Sequence, residues 1–158
     1  AERGLPVNVT ARVFDGRVAP RCILQTEVDR ADLTGFLQKT GGATVILSMF
    51  FFPEVKALKV NWGALPNVYL DLSAFQGAIC PGGGPAAVRT AVSRGINHKI
   101  LFGTDWPVFR MQADQKTFVE AVTTAGGPLA AVPERERDLI LRGNVKRILS
   151  EFKSAPSP

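Results

Sequence analysis

A carboxylate at the end of the most apolar segment is the strongest candidate for chemistry in this sequence. The segment reads KILFGTDWP over residues 99–107, so Asp105 follows a run of apolar residues through a glycine and a threonine. An aspartate at such a place can accept a proton from a substrate or supply one ligand to a divalent metal ion. The alternative is that Asp105 accepts hydrogen bonds from nearby backbone amides and fixes the turn, and both interpretations stay open.

Four further residues are candidates for binding a small molecule beside Asp105. Trp106 offers an aromatic flank, and Arg110 offers a guanidinium group that can hold a carboxylate through two hydrogen bonds. Thr10 and Met49 end two earlier apolar segments. Each has a plainer alternative, because an aromatic residue can plug the rim of a sheet, an arginine can be a surface charge, and a methionine can belong to the core.

The pattern of apolar residues predicts strands that alternate with helices. The predicted strands cover residues 5–11, 43–50, 67–73 and 99–106, and the predicted helices cover about 29–39, 53–62, 85–93, 114–124 and 133–152. Near-continuous apolar strands separated by helices are typical of a parallel sheet covered by helices, which is an α/β fold. Since such sheets present their chemistry at the carboxyl ends of the strands, we expect Thr10, Met49, Ser73 and Asp105 near one face.

Two details of these elements are also predicted. Asp71, within NVYLDLS, is expected at the same face, either near Asp105 or as a buried structural aspartate bonded to the neighbouring strands' loops. The last helix is expected to turn its apolar residues inward, namely Leu139, Leu141, Val145, Ile148, Leu149 and Phe152. We predict one domain over residues 1–152 and a disordered polar tail over residues 153–158.

Five motifs occur in an order that resembles a known family. They are GLPV, VILSMFFFPEV, NVYLDLS, KILFGTDWP and LILRGNVKRIL. Together they are similar to amidohydrolase-related proteins of the second amidohydrolase family, which are TIM-barrel metal-dependent hydrolases and decarboxylases, and the resemblance covers about residues 4–149. It implies a half-barrel that corresponds to strands five to eight plus a C-terminal helix. It also implies a hydrolase or decarboxylase by descent, acting on a small carboxylated or amide-containing compound.

The resemblance implies a degenerate metal site as well. In the family, an HxH pair on the first strand, histidines ending strands five and six, and an aspartate ending strand eight hold the metal. Asp105 matches the aspartate, whereas Thr10 and Met49 stand at the two strand-end histidine positions. His98 is the one histidine of the sequence, and the strand separates it from Asp105 by roughly 20 Å or more. We therefore expect no metal bound by this chain alone, and zinc or manganese only where another chain or segment completes the barrel, with Asp105 as one ligand.

Three functional hypotheses follow. The chain is an amidohydrolase-type enzyme whose other metal ligands come from elsewhere, a metal-independent enzyme that uses Asp105, or a non-catalytic truncated relative that binds or interacts. Because the exposed edges of a half-barrel tend to associate, we expect a homo-oligomer or a partner that supplies the other half. The first residues, AERGLP, resemble the end of a helix and a turn, so we also expect a fragment or a truncated or processed chain.

Composition argues against several other classes of protein. The net charge is +5, but basic and acidic residues are interleaved along the chain, so we expect no binding to nucleic acid. No apolar run reaches the roughly 18 residues that a membrane-spanning helix needs, so no membrane association is expected. Two cysteines lack the spacing of a disulfide framework or a metal site, and no signal-peptide pattern is present. We therefore expect a cytoplasmic location.

Overall fold

The computed structural model describes residues 6–10, 12–13, 27–28, 30–40, 42–48, 65–73, 85–104 and 114–153. The strands are β1 (Val7–Thr10), β2 (Arg12–Val13), β3 (Glu27–Val28), β4 (Val45–Ser48), β5 (Val68–Asp71) and β6 (Ile100–Leu101). The helices are α1 (Arg30–Lys39), α2 (Pro85–Val92), α3 (Gln115–Thr123), α4 (Glu134–Asp138) and α5 (Asn144–Lys153). A 3₁₀ turn over Asn97–Lys99 precedes β6, and a π turn over Leu139–Gly143 joins α4 to α5.

Four of the strands form one parallel sheet in the order β1-β4-β5-β6. Neighbours in this sheet follow one another in chain order, as the strands of a TIM barrel do. The two-residue strands β2 and β3 pair with each other in a separate small sheet. The predicted parallel α/β fold is confirmed. The predicted helix over residues 53–62 lies outside the described residues. Of the disordered tail predicted over residues 153–158, Lys153 is instead the last residue of α5, and residues 154–158 lie outside the described residues.

The side chains of the sheet alternate between two apolar clusters. One face carries the large cluster, in which α1, α2, α3 and the segment after α3 cover the sheet; its buried members are Leu33, Leu37, Val45, Leu47, Val68, Leu70, Leu72, Val88, Ala91, Ile96, Ile100, Val122, Leu129, Val132 and Ile140. The opposite face carries a small cluster of Tyr69, Leu101 and Ile148, with Ile46 packed against it. Helix α5, which contributes Ile148 to the small cluster, therefore packs on the face of the sheet opposite to α1, α2 and α3.

Local chemistry defines the ends of two helices. Asp114 is the N-cap of α3, since its Oδ1 accepts a hydrogen bond of 2.7 Å from the backbone N–H of Thr117. That bond lowers the pKa of Asp114 below its usual value. Helix α2 is followed by Gly95, whose φ of 74° favours glycine because the left-handed region is strained for residues with a Cβ. The predicted bounds of both helices are close to those observed.

The C-terminal helix differs from its predicted inward face. Ile148 is buried, but Val145 and Leu149 are 40% and 53% exposed, so their predicted burial is wrong. The buried stripe is instead Ile140, Asn144 and Ile148. Spacing of apolar residues could not show this, because the π turn inserts an extra residue into the helical ladder and the stripe contains an asparagine.

Asn144 holds this helix against the start of β6. Its side chain is fully buried, and its Nδ2 donates hydrogen bonds of 2.8 Å to the backbone oxygens of both Asn97 and Ile100. One amide group thus donates to two backbone oxygens at the end of the 3₁₀ turn. This is favourable because a buried carbonyl without a donor is costly. Asn144 thus connects α5 to the amino end of β6.

The amino edge of the sheet is basic. Lys99 is 4% exposed, and its Nζ donates hydrogen bonds to the backbone oxygens of Leu65 and Val68. Arg147 donates from Nη2 to the backbone oxygen of His98 over 2.8 Å and lies 5.9 Å from the centre of the Tyr69 ring. The predicted place of His98, before the strand, is confirmed.

Charge and burial act together on the ionisation of this edge. Burial, followed by the positive charges of Lys99 and Arg147, lowers the pKa of His98 below its usual 6.5. Burial, followed by the charge of Arg147, also lowers the pKa of Lys99. The neutral form of His98 is therefore favoured in the folded chain.

No helix in the described part of the chain is both long enough and apolar enough to cross a bilayer.

Replacing Asn144 with alanine should destabilise the fold by roughly 1–3 kcal/mol, because the oxygen of Ile100 loses a donor in a buried site, whereas the oxygen of Asn97 keeps the backbone N–H of Ile100. Urea denaturation followed by circular dichroism measures the change. Lys146→Ala is the matched control, because Lys146 is an exposed neighbour on the same helix and its loss should change stability by less than about 0.5 kcal/mol. Equal losses in the two variants would contradict the anchoring role of Asn144.

Stability should depend on pH through His98. Since the folded pKa lies below 6.5, the unfolded chain binds more protons between the two values, and stability rises with pH across that interval. The free energy of unfolding of the native chain, minus that of a His98→Gln variant, should therefore increase between pH 5 and pH 7.5. A difference that stays constant or falls over this range would show that His98 is not disfavoured as a cation.

Candidate functional site

The carboxyl ends of the four parallel strands meet at one edge of the sheet. Thr10 pairs with Ser48, and Asp71 pairs with Leu101, so the last residues of β1, β4 and β5 lie in neighbouring positions. The chain beyond β6 is described as far as Thr104, which immediately precedes Asp105 in the sequence. We call this the carboxyl edge, and it is the edge at which parallel α/β sheets carry their active sites.

Only one of the five predicted site residues belongs to the described part of the chain. The structure places the backbone of Thr10 at the carboxyl end of β1, as expected. Met49, Asp105, Trp106 and Arg110 lie outside the described residues. Their placement at this edge stays a prediction.

Asp71 is the carboxylate that the structure places at the carboxyl edge. Its Oδ2 accepts a hydrogen bond of 3.2 Å from the hydroxyl of Ser48 on the neighbouring strand, and its Oδ1 accepts one of 2.7 Å from the backbone N–H of Ser73. Ser48 and Ser73 are buried, whereas Asp71 is half-buried. Two donors from different strand ends therefore hold this carboxylate in one orientation.

Gly103 lies against the same carboxylate from the side of β6. A Cβ added to Gly103 would come within 2.2 Å of Oδ1 of Asp71 and within 3.0 Å of its Cγ. Real Cβ atoms do not approach so closely, so a side chain at position 103 requires the carboxylate to move. The absence of a side chain at Gly103 lets the chain after β6 pass directly over Asp71.

The cluster of Ser48, Asp71, Ser73 and Gly103 was only partly predictable. The sequence predicted Asp71 at this face, either near Asp105 or as a buried aspartate bonded to the neighbouring strands' loops. The structure shows a half-buried Asp71 bonded to Ser48, the last residue of the neighbouring strand β4. The contributions of Ser48 and Gly103 were missed. In the sequence, Ser48 follows Leu47 and Asp71 follows Leu70. The structure pairs Leu47 with Leu70, so Ser48 and Asp71 come next to each other at the ends of their strands.

Among the described residues of the carboxyl edge, the groups around Asp71 do not resemble a histidine-based metal centre. Two of the groups that bond to Asp71 are a hydroxyl and a backbone N–H, and an N–H group cannot ligate a cation. Across the described ranges, no three side chains of His, Cys, Asp or Glu come together in a way that could hold a metal ion. The one histidine of the sequence lies at the opposite, amino edge.

Comparison with known proteins gives one clear match. Residues 1–150 match the protein-family profile described as Amidohydrolase (Amidohydro_2). No curated protein matches the chain, and neither does any solved structure. Since the profile spans nearly the whole sequence and the sheet is parallel with its strands in chain order, the chain belongs to the amidohydrolase family.

Proposed function

We propose that the chain provides the acid–base carboxylate of an amidohydrolase-type centre that hydrolyses or decarboxylates a small carboxylated or amide-containing compound. The observation that supports this most directly is the carboxyl edge itself. Thr10, Ser48 and Asp71 end three parallel strands there, and Thr104 leads from the fourth to Asp105. In this proposal Asp105 exchanges the proton of the reaction, because a carboxylate can act as a general base and then return the proton as an acid.

The remaining predicted residues bind the substrate in this proposal. Arg110 holds a carboxylate group of the compound, and Trp106 covers an apolar part of it. Met49 lines the apolar side, and Thr10, at the end of β1, offers a hydroxyl to a polar group. A small substrate with one anionic and one planar or apolar part suits these four side chains.

The proposed chemistry is carried by this chain's own carboxylate, because its histidine is at the wrong edge for a family-type metal site. Zinc or manganese would need ligands from another chain or segment, and Asp105 would then supply a single ligand. Separately from the metal, we propose that two copies of the chain form a closed barrel, which would add no histidine at the carboxyl edge. β1 and β6 stand at the two ends of the strand order, so β1 of one copy can pair with β6 of another in the same parallel sense.

Asp105→Asn tests the chemical role. Turnover of a panel of small carboxylated and amide compounds should fall by about 10²–10⁴-fold, because the amide cannot exchange the proton, whereas thermal stability should stay close to that of the native chain. Asp138→Asn is the control, since Asp138 forms an exposed ion pair with Arg142 on the C-terminal helix, and it should retain full turnover. Unchanged turnover in Asp105→Asn would leave Asp105 without a chemical role and favour a binding module.

Metal analysis of the purified chain separates the two enzymatic routes. The proposal expects less than about 0.1 zinc or manganese per chain after dialysis, since one carboxylate without imidazoles binds these ions weakly. Stoichiometric metal that is lost in Asp105→Asn and retained in Asp138→Asn would overturn the metal-free route and show that other ligands complete a centre.

Sedimentation tests the proposed completion of the barrel. At micromolar concentration the native chain should sediment as a dimer, and Val7→Lys should shift it toward the monomer, because a charge on the edge strand opposes pairing. Phe36→Lys is matched to it, since Val7 and Phe36 are 41% and 44% exposed and Phe36 lies on α1 instead of on an edge strand. A native monomer, or equal effects of both substitutions, would contradict pairing through β1.

A further inference from the structure

We propose that Asp71 is a positioning residue, whose carboxylate fixes the path of the chain at Gly103, two residues before Asp105 in the sequence. This inference rests on the proposed function for its catalytic consequence, but its structural part concerns residues that the structure describes. It assigns a role to a side chain that is neither a proposed acid–base group nor a proposed substrate contact.

The first step is that the side chain of Asp71 joins the ends of neighbouring strands. Ser48 bonds to Oδ2 from β4, and the N–H of Ser73 bonds to Oδ1 from the segment directly after β5. Both donors come from residues that are at least nine-tenths buried. The carboxylate is thus held from two sides before β6 is considered.

The second step is that the held carboxylate occupies the space beside Gly103. The Cβ of any other residue at position 103 would meet Oδ1 at 2.2 Å. Oδ1 is the same atom that accepts the bond from Ser73, so it cannot yield without breaking that bond. The position of the Asp71 carboxylate and the path of the chain at Gly103 are therefore mutually determined.

The third step concerns what this contact adds to β6. Backbone bonds already hold the strand before Gly103, since the N–H of Leu72 donates to the oxygen of Leu101 over 2.9 Å and the N–H of Phe102 donates to that of Ile140 over 3.0 Å. Gly103 is the next residue, and Thr104 alone separates it from Asp105 in the sequence. Since consecutive Cα atoms are about 3.8 Å apart, a shift at Gly103 is passed on to Asp105 with little chain to absorb it.

The fourth step separates positioning from direct chemistry. Asparagine at position 71 can reproduce both contacts, because its Oδ1 accepts from the N–H of Ser73 while its Nδ2 donates to the hydroxyl of Ser48, which can also accept. Asp71→Asn therefore preserves a positioning role and abolishes any role that needs the charge or the proton. Asp71→Ala removes both contacts.

The test is a double-mutant cycle between Asp71 and Gly103 with Asp71→Asn as the conservative variant. The variants are Asp71→Ala, Gly103→Ala, their combination, and Asp71→Asn. Amide hydrogen exchange of Ser73 and of residues 101–104 is measured without substrate, and kcat and KM are measured on whichever panel compound the native chain turns over.

The expected result is a non-additive cycle. Gly103→Ala alone should speed amide exchange at residues 101–104 and lower kcat by about 10²-fold, since a misplacement of about 1 Å costs that much, with KM changed less than about threefold. In the Asp71→Ala background the same substitution should have little further effect, because the clashing carboxylate is gone. Asp71→Asn should stay within about threefold of the native kcat and keep native exchange.

Several outcomes would overturn the inference. Additive effects in the cycle, or native exchange at residues 101–104 in Gly103→Ala, would show that Asp71 does not fix this segment. A loss of kcat in Asp71→Asn equal to that in Asp71→Ala would assign the carboxylate a direct chemical role instead. If Gly103→Ala does not fold, recovery of folding in the double variant supports the interlock, and failure of the double variant to fold contradicts it.

The substrate-free readout separates this inference from the proposed function. Non-additive exchange together with no turnover of any panel compound would leave the interlock standing and contradict the proposed enzyme. Turnover that depends on Asp105, together with additive effects on amide exchange, would support the proposed enzyme and contradict the interlock of Asp71 with Gly103.

Discussion

The common direction of the four paired strands is the constraint on which the rest of this structure depends. Parallel pairing brings every carboxyl end to one edge and every amino end to the other, so the polar groups of the loops separate into two sets. The carboxyl edge gathers oxygen-bearing side chains, Ser48 and Asp71 among them, whereas the amino edge gathers His98, Lys99 and Arg147. Strand direction therefore decides which residues share an edge, and the sequence decides which chemical groups these residues bring.

Both edges are fixed by buried or half-buried polar side chains that bond to neighbouring segments. At the amino edge, Asn144 bonds to two carbonyls and Lys99 bonds to two others. At the carboxyl edge, Asp71 accepts from a side chain and a backbone amide. Apolar packing opposes a one-residue slip of a strand, because such a slip would exchange the side chains of its two faces. Directional bonds at the strand ends specify which residue lies beside which, because leaving any of these groups unpaired would cost more than a typical net hydrogen bond contributes.

The sequence predicted the elements well and the contacts between them poorly. Apolar segments separated by helical spacing were enough to place β4, β5, α2 and α3 within a few residues, because local pattern and tertiary burial agree there. The inward face of the last helix was wrong at Val145 and Leu149. That error has a physical cause, since a π turn and a buried Asn144 replace the regular apolar stripe, and neither has a signature in hydrophobic spacing.

The candidate site shows the same division. The rule that parallel strands share one carboxyl edge was enough to predict that Thr10 and Asp71 lie at the same edge, since this rule needs only the direction of the strands. The close fit of Asp71 against Gly103 depends instead on the distance between particular atoms of two neighbouring segments. The spacing of residue types along the sequence does not encode such a distance. A glycine two residues before a candidate aspartate looks like a turn signal, whereas the structure shows that it leaves room for a carboxylate.

The distribution of polar groups also bears on how family membership relates to chemistry. A barrel fold places active groups at its carboxyl edge, but the fold does not dictate which groups stand there. In this chain the one histidine, His98, lies at the amino edge. Its backbone oxygen accepts a hydrogen bond from Arg147, and its ring is disfavoured as a cation. The carboxyl edge instead holds a carboxylate that is already committed to Ser48 and Ser73. An acid–base group at this edge then depends on neighbours that hold it in place, and the close fit of Asp71 against Gly103, two residues before Asp105 in the sequence, is a described contact of this kind.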